Sequence, residues 1–500
     1  MVCLATNTPE YYAELCDEVR FFLDERKIPL VEAVQEEGYT VWHSVVEKPN
    51  AGCSPREGKG RFIHTCVLYL DGRKVGQHFF ETPSLPDGAG RAALEYKRIR
   101  KRGAKIAVFR CLKEYFGKEK PWGSLTGVRP TKFLRDSQKK LGLKEAERMF
   151  LEDMDLSRQK YELVNQICRR QQPVLSSIQP QDLDIYVGIP FCTSRCAYCS
   201  FAAMESTRDG ALEEKYVDAL IREMHALRDI IAARRVRSVY LGGGTPTALA
   251  PCQLERVLEA VAEFAQGEFT VEAGRPDTIT PKKLSLIRQA GANRISVNPQ
   301  TTCQATLDRI GRSHRVEEFF KAAELAAGFG FAAVNMDLIV GLPGEGRAEF
   351  ARSLLDVLAL KPENITVHTL AIKRGSRFGQ ENAHSFADAK EAEAMLAQGA
   401  EQLERAGYAP YYLYRQKYMT GNLENVGYAL PGKESIYNID IMEEAVSILA
   451  FGAGAISKVV ESGDGKICRA AAPKNVEQYI RRIQEMAQRK RALFCGQEGL

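Results

Sequence analysis

The chain has 500 residues, 45% hydrophobic and 27% charged, the balance expected of a soluble globular protein with room for two to four domains. Its 69 Lys and Arg stand against 64 Asp and Glu, and the resulting net charge of +5 is too slight to imply a nucleic-acid binder. No apolar run approaches the ~18 residues needed to span a bilayer, and the N-terminus lacks the basic-then-apolar order of a secretory signal, so a cytoplasmic location is expected.

Residues 1–180 read as an α+β accessory domain. "RFIHTCVLYLDGRKVGQHFFET" alternates like two strands joined by a hairpin turn at Asp71-Gly72. The basic run "KRIRKRGAK" (Lys97 to Lys105) is either a solvated helix face or a surface for an anionic substrate or an RNA backbone. A helix is expected from Gln159 to Arg170. The stretch "QQPVLSSIQPQD" (Gln171 to Asp182), with two prolines and two serines, reads as the linker that follows it.

Residues 181–407 form a second domain with a repeating texture. Six short apolar runs, "DIYVGIP", "VRSVYLGG", "FTVEAG", "RISVNP", "VNMDLIVG" and "ITVHTL", each precede an amphipathic helix. After the first, Leu212, Tyr216, Leu220, Met224, Leu227 and Ile231 fall on one helical stripe. Strand–helix units in series mean a parallel sheet. Periodicity does not decide whether it curls into a barrel. Residues 408–500 are a mixed extension, rich in Tyr and Gly, that ends in a basic helix from Val476 to Leu493.

The sequence holds 13 cysteines. A cytosolic chain keeps them reduced, and most of the scattered ones read as small buried hydrophobes. "YVGIPFCTSRCAYCSF" is different, because Cys192, Cys196 and Cys199 have ligand spacing directly after the first strand. One reading is a zinc site, although such sites take four Cys or His ligands, normally in two short pairs. The other is a [4Fe–4S] cluster held by three thiolates. One iron then stays open to a small molecule.

C-x3-C-x2-C after the first strand of a βα repeat resembles the radical S-adenosylmethionine (SAM) enzymes. "YVGIPFC" with "YCSF" is similar to the HemN/HemW-like coproporphyrinogen dehydrogenase group. The group's supporting motifs follow in order: "GGGTPT", "VEAGRPD", "RISVNPQ", "IGRSH", "MDLIVGLPG" and "TLAIKRGS". "PWGSLTGVRPTKFLRD" and "GNLENVGYALPGKESIYNIDIMEE" look most like the HemZ-type members. The resemblance implies a partial (β/α)6 radical SAM barrel, with Cys192, Cys196 and Cys199 holding a [4Fe–4S] cluster. It places Gly243, Gly244 and Thr245 at the methionyl part of SAM, where bare backbone groups can approach a ligand. Glu272, Gln300, Asp337 and Arg312 match further SAM contacts, Arg312 as a carboxylate partner. Tyr186, Tyr198 and Ala371 match the remaining positions.

As to function, the resemblance implies a radical SAM oxidoreductase that converts propionates of coproporphyrinogen III to vinyl groups, fed by a reducing donor such as flavodoxin or ferredoxin. The basic run, Arg129, Arg415 and Lys417 are candidates to dock the four carboxylates of that tetrapyrrole substrate. Two alternatives are a haem-binding delivery protein on the same scaffold and a radical SAM enzyme with another substrate, such as RNA. The chain departs from the group's pattern twice. Gly188 stands where the family usually has His, and Cys199-Ser200-Phe201 lacks the further cysteine of the well-characterised oxidases.

Overall fold

The computed structural model describes the whole chain except residues 24, 26, 50–59, 84–90, 128, 202, 208–209, 382–386, 462–466 and 497–500. The chain folds as two compact units, Met1–Val164 and Asn165–Leu500.

The first unit carries a four-stranded sheet in the order β1 (Val2–Thr6), β2 (Tyr39–Pro49), β3 (Gly60–Leu70) and β4 (Arg73–Pro83). β1 runs parallel to β2, and the other pairs are antiparallel. Asp71 and Gly72 make the expected hairpin, both at positive φ (50° and 75°), as a tight turn between right-twisted strands requires. The helix Arg91–Phe116 packs on this sheet around Leu4, Val41, Leu68, Val108 and Leu112. The basic run lies on that helix and is largely engaged within the unit. Lys101 pairs with Glu14 at 3.0 Å, Lys105 with the buried Glu18 at 3.3 Å, and Arg100 lies over the rings of Phe62 and Tyr96.

The second unit is built on an eleven-stranded sheet. Its six core strands are β5 (Asp182–Ile189), β8 (Arg235–Gly243), β9 (Glu268–Glu272), β10 (Arg294–Ser296), β11 (Ala333–Val340) and β12 (Asn364–Thr369), parallel and adjacent in chain order. A two-residue pair, β6 (Phe191–Cys192) and β7 (Met204–Glu205), lies between the first two of these in sequence. β5 and β12 do not pair with each other, so the six strands form an arc, the partial (β/α)6 barrel. The extension continues the sheet at both ends. β14 (Asn425–Ala429) and β13 (Ala409–Tyr414) follow β12 antiparallel, while β15 (Ser447–Phe451) joins β5 in parallel and leads to β16 (Ile456–Val460) and β17 (Ile467–Ala471).

Three elements differ from their sequence reading. The strand in "RISVNP" ends at Ser296, so Gln300 stands beyond it in an isolated bridge to Leu338. The helix expected over Gln159–Arg170 runs from Arg158 to Ser176 with Pro173 inside. Its last turns are held by tertiary bonds, Gln171 Nε2 to Tyr411 O (3.0 Å) and Arg237 Nη2 to Val174 O (2.6 Å), which outweigh the proline's missing donor. The terminal helix is two helices, Val476–Arg481 and Ile483–Cys495. All cysteines among the described residues are free thiols; Cys3, Cys16, Cys66, Cys111 and Cys168 are buried, Cys252 and Cys495 are exposed, and Cys53 lies outside the described residues.

Candidate functional site

Side chains alternate across a strand, so residues two apart share a face. In the core strands one face carries Tyr186, Tyr240, Thr270 with Glu272, Asn335 with Asp337, and Thr366 with His368. The apolar partners Phe269, Val271, Met336, Leu338, Ile365 and Val367 are buried on the other face. The polar face lines a cavity of about 570 Å³, within the range of small-molecule sites. Tyr186, Cys192, Cys196, Tyr198, Cys199, Gly243, Gly244, Thr245, Glu272, Gln300, Arg312, Asp337 and Ala371 all line it, so every residue singled out from the sequence for the cluster and SAM is brought together.

The three cysteines sit on a loop pinned from several sides. Thr245 N donates to Phe191 O (2.7 Å), Gly244 N to Ile189 O (2.7 Å) and Ala197 N to Ile310 O (2.8 Å). Ala197 is fully buried against Leu307, Ile339, Leu342 and Leu370. A Cβ on Gly244 would stand 2.6 Å from Phe191 O and 3.1 Å from the Cys192 sulfur, so only glycine lets the two segments meet. Cys192 Sγ lies 3.5 Å from Thr245 Oγ1. Burial pushes the Cys192 thiol up to about 11 and raises Cys199 as well. A thiol in that state becomes a thiolate when a metal displaces its proton.

Two buried guanidiniums flank Cys196. Arg275 Nη1 is 3.8 Å from its sulfur and 2.9 Å from Ser194 Oγ, while its Nε pairs with Asp277 at 3.0 Å. Arg312 Nη1 is 4.0 Å from the same sulfur and 3.4 Å from the Tyr198 hydroxyl; its Nη2 donates to Gly274 O (2.7 Å) and Asn298 O (2.6 Å). Positive charge beside the sulfur suits an anionic cluster. Among the described residues no three His, Cys, Asp or Glu groups are placed to hold a single metal ion.

Deeper in the cavity, Glu272 closes β9 and accepts from Gly243 N at 3.3 Å. Burial, reinforced by the charge of Asp337, pushes its carboxyl up to about 7. Burial also acts upward on Asp337, but His368 and Asn335 outweigh it and hold that carboxyl below its ordinary value. His368 Nε2 stands 3.5 Å from Asp337 Oδ2, and its Nδ1 is 3.2 Å from the Tyr414 hydroxyl. Gln300 adopts a left-handed φ of 68°, costly for a residue with a side chain, while its N–H donates to Asp337 O and its carbonyl receives Ile339 N. Its Oε1, Asn298 Oδ1 and Arg312 Nε are buried with no hydrogen-bond partner among the described residues. Unmet donors and acceptors in one cavity fit a polar ligand with several hydroxyl, amino and carboxylate groups.

Arg275, Asn298, His368, Lys373 and Tyr414 belong to this lining and were not singled out from the sequence. Thr270 and Asn335 also line it, and their two-residue spacing from Glu272 and Asp337 is the signal that would have found them. Arg275 carries no such signal, because its contact with Cys196 spans 79 positions. Of the suggested docking cations, Arg415 is buried and donates to Asn422 O at 2.7 Å.

Comparison with known proteins gives the family and the fold. Residues 186–357 match the model of the radical SAM superfamily. The chain is 39% identical over 391 residues to the oxygen-independent coproporphyrinogen-III oxidase-like protein HemZ of Bacillus subtilis, covering 76% of this chain and 78% of that one. It is 28% identical over 302 residues to the heme chaperone HemW of Escherichia coli, covering 60% and 75%. Among solved structures, the coproporphyrinogen III oxidase HemN of Escherichia coli shares the fold with a TM-score of 0.52 at 24% identity, over 67% of this chain and 74% of that one.

Proposed function

Since the chain belongs to the radical SAM superfamily, in the group that includes the HemZ-like proteins, we propose that it is an oxygen-independent coproporphyrinogen III dehydrogenase of porphyrin synthesis. Family members bind a [4Fe–4S] cluster and SAM, which together supply a 5′-deoxyadenosyl radical able to take a hydrogen atom from an unactivated carbon. The propionate side chain loses that hydrogen atom, then carbon dioxide and one electron, which passes to a one-electron acceptor, and is left as a vinyl group.

The chain's own residues position and enclose these partners. Cys192, Cys196 and Cys199 would hold the cluster, and a set of three thiolates would leave it one position open to a ligand. Arg275 and Arg312 offset the negative charge gathered at Cys196. Gly243, Gly244 and Thr245 present backbone groups to the methionyl portion. Glu272, Gln300 and Asp337 accept from hydroxyl or amino groups, and Arg312, Tyr186, Tyr198 and Ala371 complete the wall. Side chains on an inward strand face and a loop pinned to its neighbours keep bulk water from the reacting carbon. In this reading residues 1–180 are an accessory domain, 181–407 the core and 408–500 a C-terminal extension, with flavodoxin or ferredoxin as the class of electron donor.

The observation that carries the proposal is the gathering of all the expected cluster and SAM residues around one cavity. A second reading, a haem-binding delivery protein, is favoured by the Cys199-Ser200-Phe201 ending and by the likeness to HemW. One anaerobic experiment separates them. The reconstituted protein is given dithionite, SAM and coproporphyrinogen III, with 5′-deoxyadenosine and protoporphyrin followed together and Cys196→Ser as control. Both products rise in the wild type and neither in the variant if the dehydrogenase reading holds. Stoichiometric haem binding with no porphyrin turnover would replace it with the delivery reading.

A further inference from the structure

The rim of the cavity beside Cys199 carries two cations without an acidic partner among the described residues. Lys373, two residues past Ala371, is half-buried and lines the cavity, and no hydrogen bond or ion pair from the described residues engages its ammonium. Arg195, between two of the cysteines, gives Nη2 to Gly375 O at 2.8 Å and has no carboxylate partner among the described residues. The acid on this rim, Glu205, accepts from the Arg195 backbone N at 3.2 Å. Removing an ammonium from water without a counter-charge is costly. That cost is recovered when an anion enters.

The same rim displays apolar surface. Phe201 is 69% exposed and Met204 40% exposed, although both line the cavity, and Met204 is fixed there by the pairing of β7 with β6. Exposed large apolar side chains beside unpaired cations make an amphipathic mouth. It fits a ligand that is flat and apolar across its face and carries carboxylates at its edge.

We propose that Lys373, assisted by Arg195, anchors the edge carboxylates of such a ligand while Phe201 and Met204 support its ring. The ring's identity as a tetrapyrrole rests on the function proposed above; the pairing of cation and carboxylate rests on this rim. The assignment makes Lys373 a specificity residue. It sits where the substrate enters, whereas the polar groups for SAM lie deeper.

The test uses the full-length protein with its cluster reconstituted. Coproporphyrin III, the stable oxidised form of the substrate with the same four carboxylates, is titrated by fluorescence into wild type, Lys373→Met, Lys373→Arg and Arg195→Gln. SAM binding is measured on each by equilibrium dialysis. Losing one charge-assisted contact should weaken porphyrin binding of Lys373→Met about tenfold. Lys373→Arg should stay near wild type, Arg195→Gln should fall between them, and SAM affinity should be unchanged in all. Unchanged porphyrin affinity in Lys373→Met overturns the anchor while leaving the tetrapyrrole reading intact. Weakened SAM binding with normal porphyrin binding also overturns it, giving the ammonium to the carboxylate of SAM. A wild type that binds no porphyrin overturns the tetrapyrrole reading itself, and the anchor with it.

Discussion

Glu272 and Asp337 face one cavity from strands separated only by β10, yet their surroundings push them in opposite directions. Asp337 has an imidazole and an amide to hold its charge, whereas Glu272 has one long backbone bond and a carboxylate for a neighbour. For Glu272 the folded value, about 7, lies above the roughly 4.3 of an unfolded chain. Its contribution is therefore fully present below the unfolded value and is lost as pH rises through 7. In the SAM-free protein, the stability difference between Glu272→Gln and wild type should drift in favour of the variant from about pH 4.5 to 7.5. Parallel melting temperatures across that range would show that Glu272 does not titrate there. The sequence exposed Glu272 and Asp337 through their motifs. It did not expose His368, whose role depends on a neighbour 31 positions away in the chain, or Arg275, whose sulfur contact crosses the barrel mouth.

Among the elements, the approach to the cysteine loop shows how β5 is held at Gly188. Gly188 O accepts from the Tyr216 hydroxyl at 2.6 Å, and that hydroxyl also receives Ala453 N at 3.1 Å. The Tyr216 ring meets Phe191, the residue before Cys192, edge-on at 5.3 Å. β5 is thus steadied by a core helix and by the turn after β15, not by a side chain of its own. Gly452, at φ 103°, makes that approach possible, because a Cβ there would fall 2.5 Å from Gly188 O and 2.6 Å from the Tyr216 hydroxyl. Gly452→Ala should cost about 2–4 kcal/mol by chemical denaturation, from strain and overpacking. Gly328→Ala, with nothing within 4 Å, should be neutral or stabilising. Equal effects of the two substitutions would refute the close-approach account. All six core strands were legible because parallel strands buried on both faces read as short apolar runs. Less legible were ends set by tertiary contacts, such as the helix that continues past Pro173 to Ser176.

At the scale of the whole molecule, charge is spent inside as well as outside. Lys490 on the last helix is almost fully buried, with Nζ 2.6 Å from Glu223 Oε1 and a second bond to Ala450 O. Tyr479 donates to the other oxygen of Glu223 at 2.6 Å. Lys490→Met leaves a buried carboxylate without its counter-ion and should cost about 3–5 kcal/mol; adding Glu223→Gln should restore a large part of it. Additive losses in the double variant would mean the two charges are not coupled. Part of the basic composition noticed in the sequence is used in this way. Lys101, Lys105, Arg237 and Lys490 serve internal pairs, so net charge alone gave no guide to a partner.

The parallel pairing of β5 with β15 also sets an order of events during synthesis. The strand that carries the cysteine loop leaves the ribosome long before its second neighbour has been translated. At ~5–20 residues per second the delay is on the order of tens of seconds. Through that interval one side of β5 offers an open row of backbone donors and acceptors, the kind of edge on which nascent chains mispair. Metal loading before residue 451 is made would act on a half-bordered sheet. Loading afterwards acts on one whose first strand is enclosed on both sides.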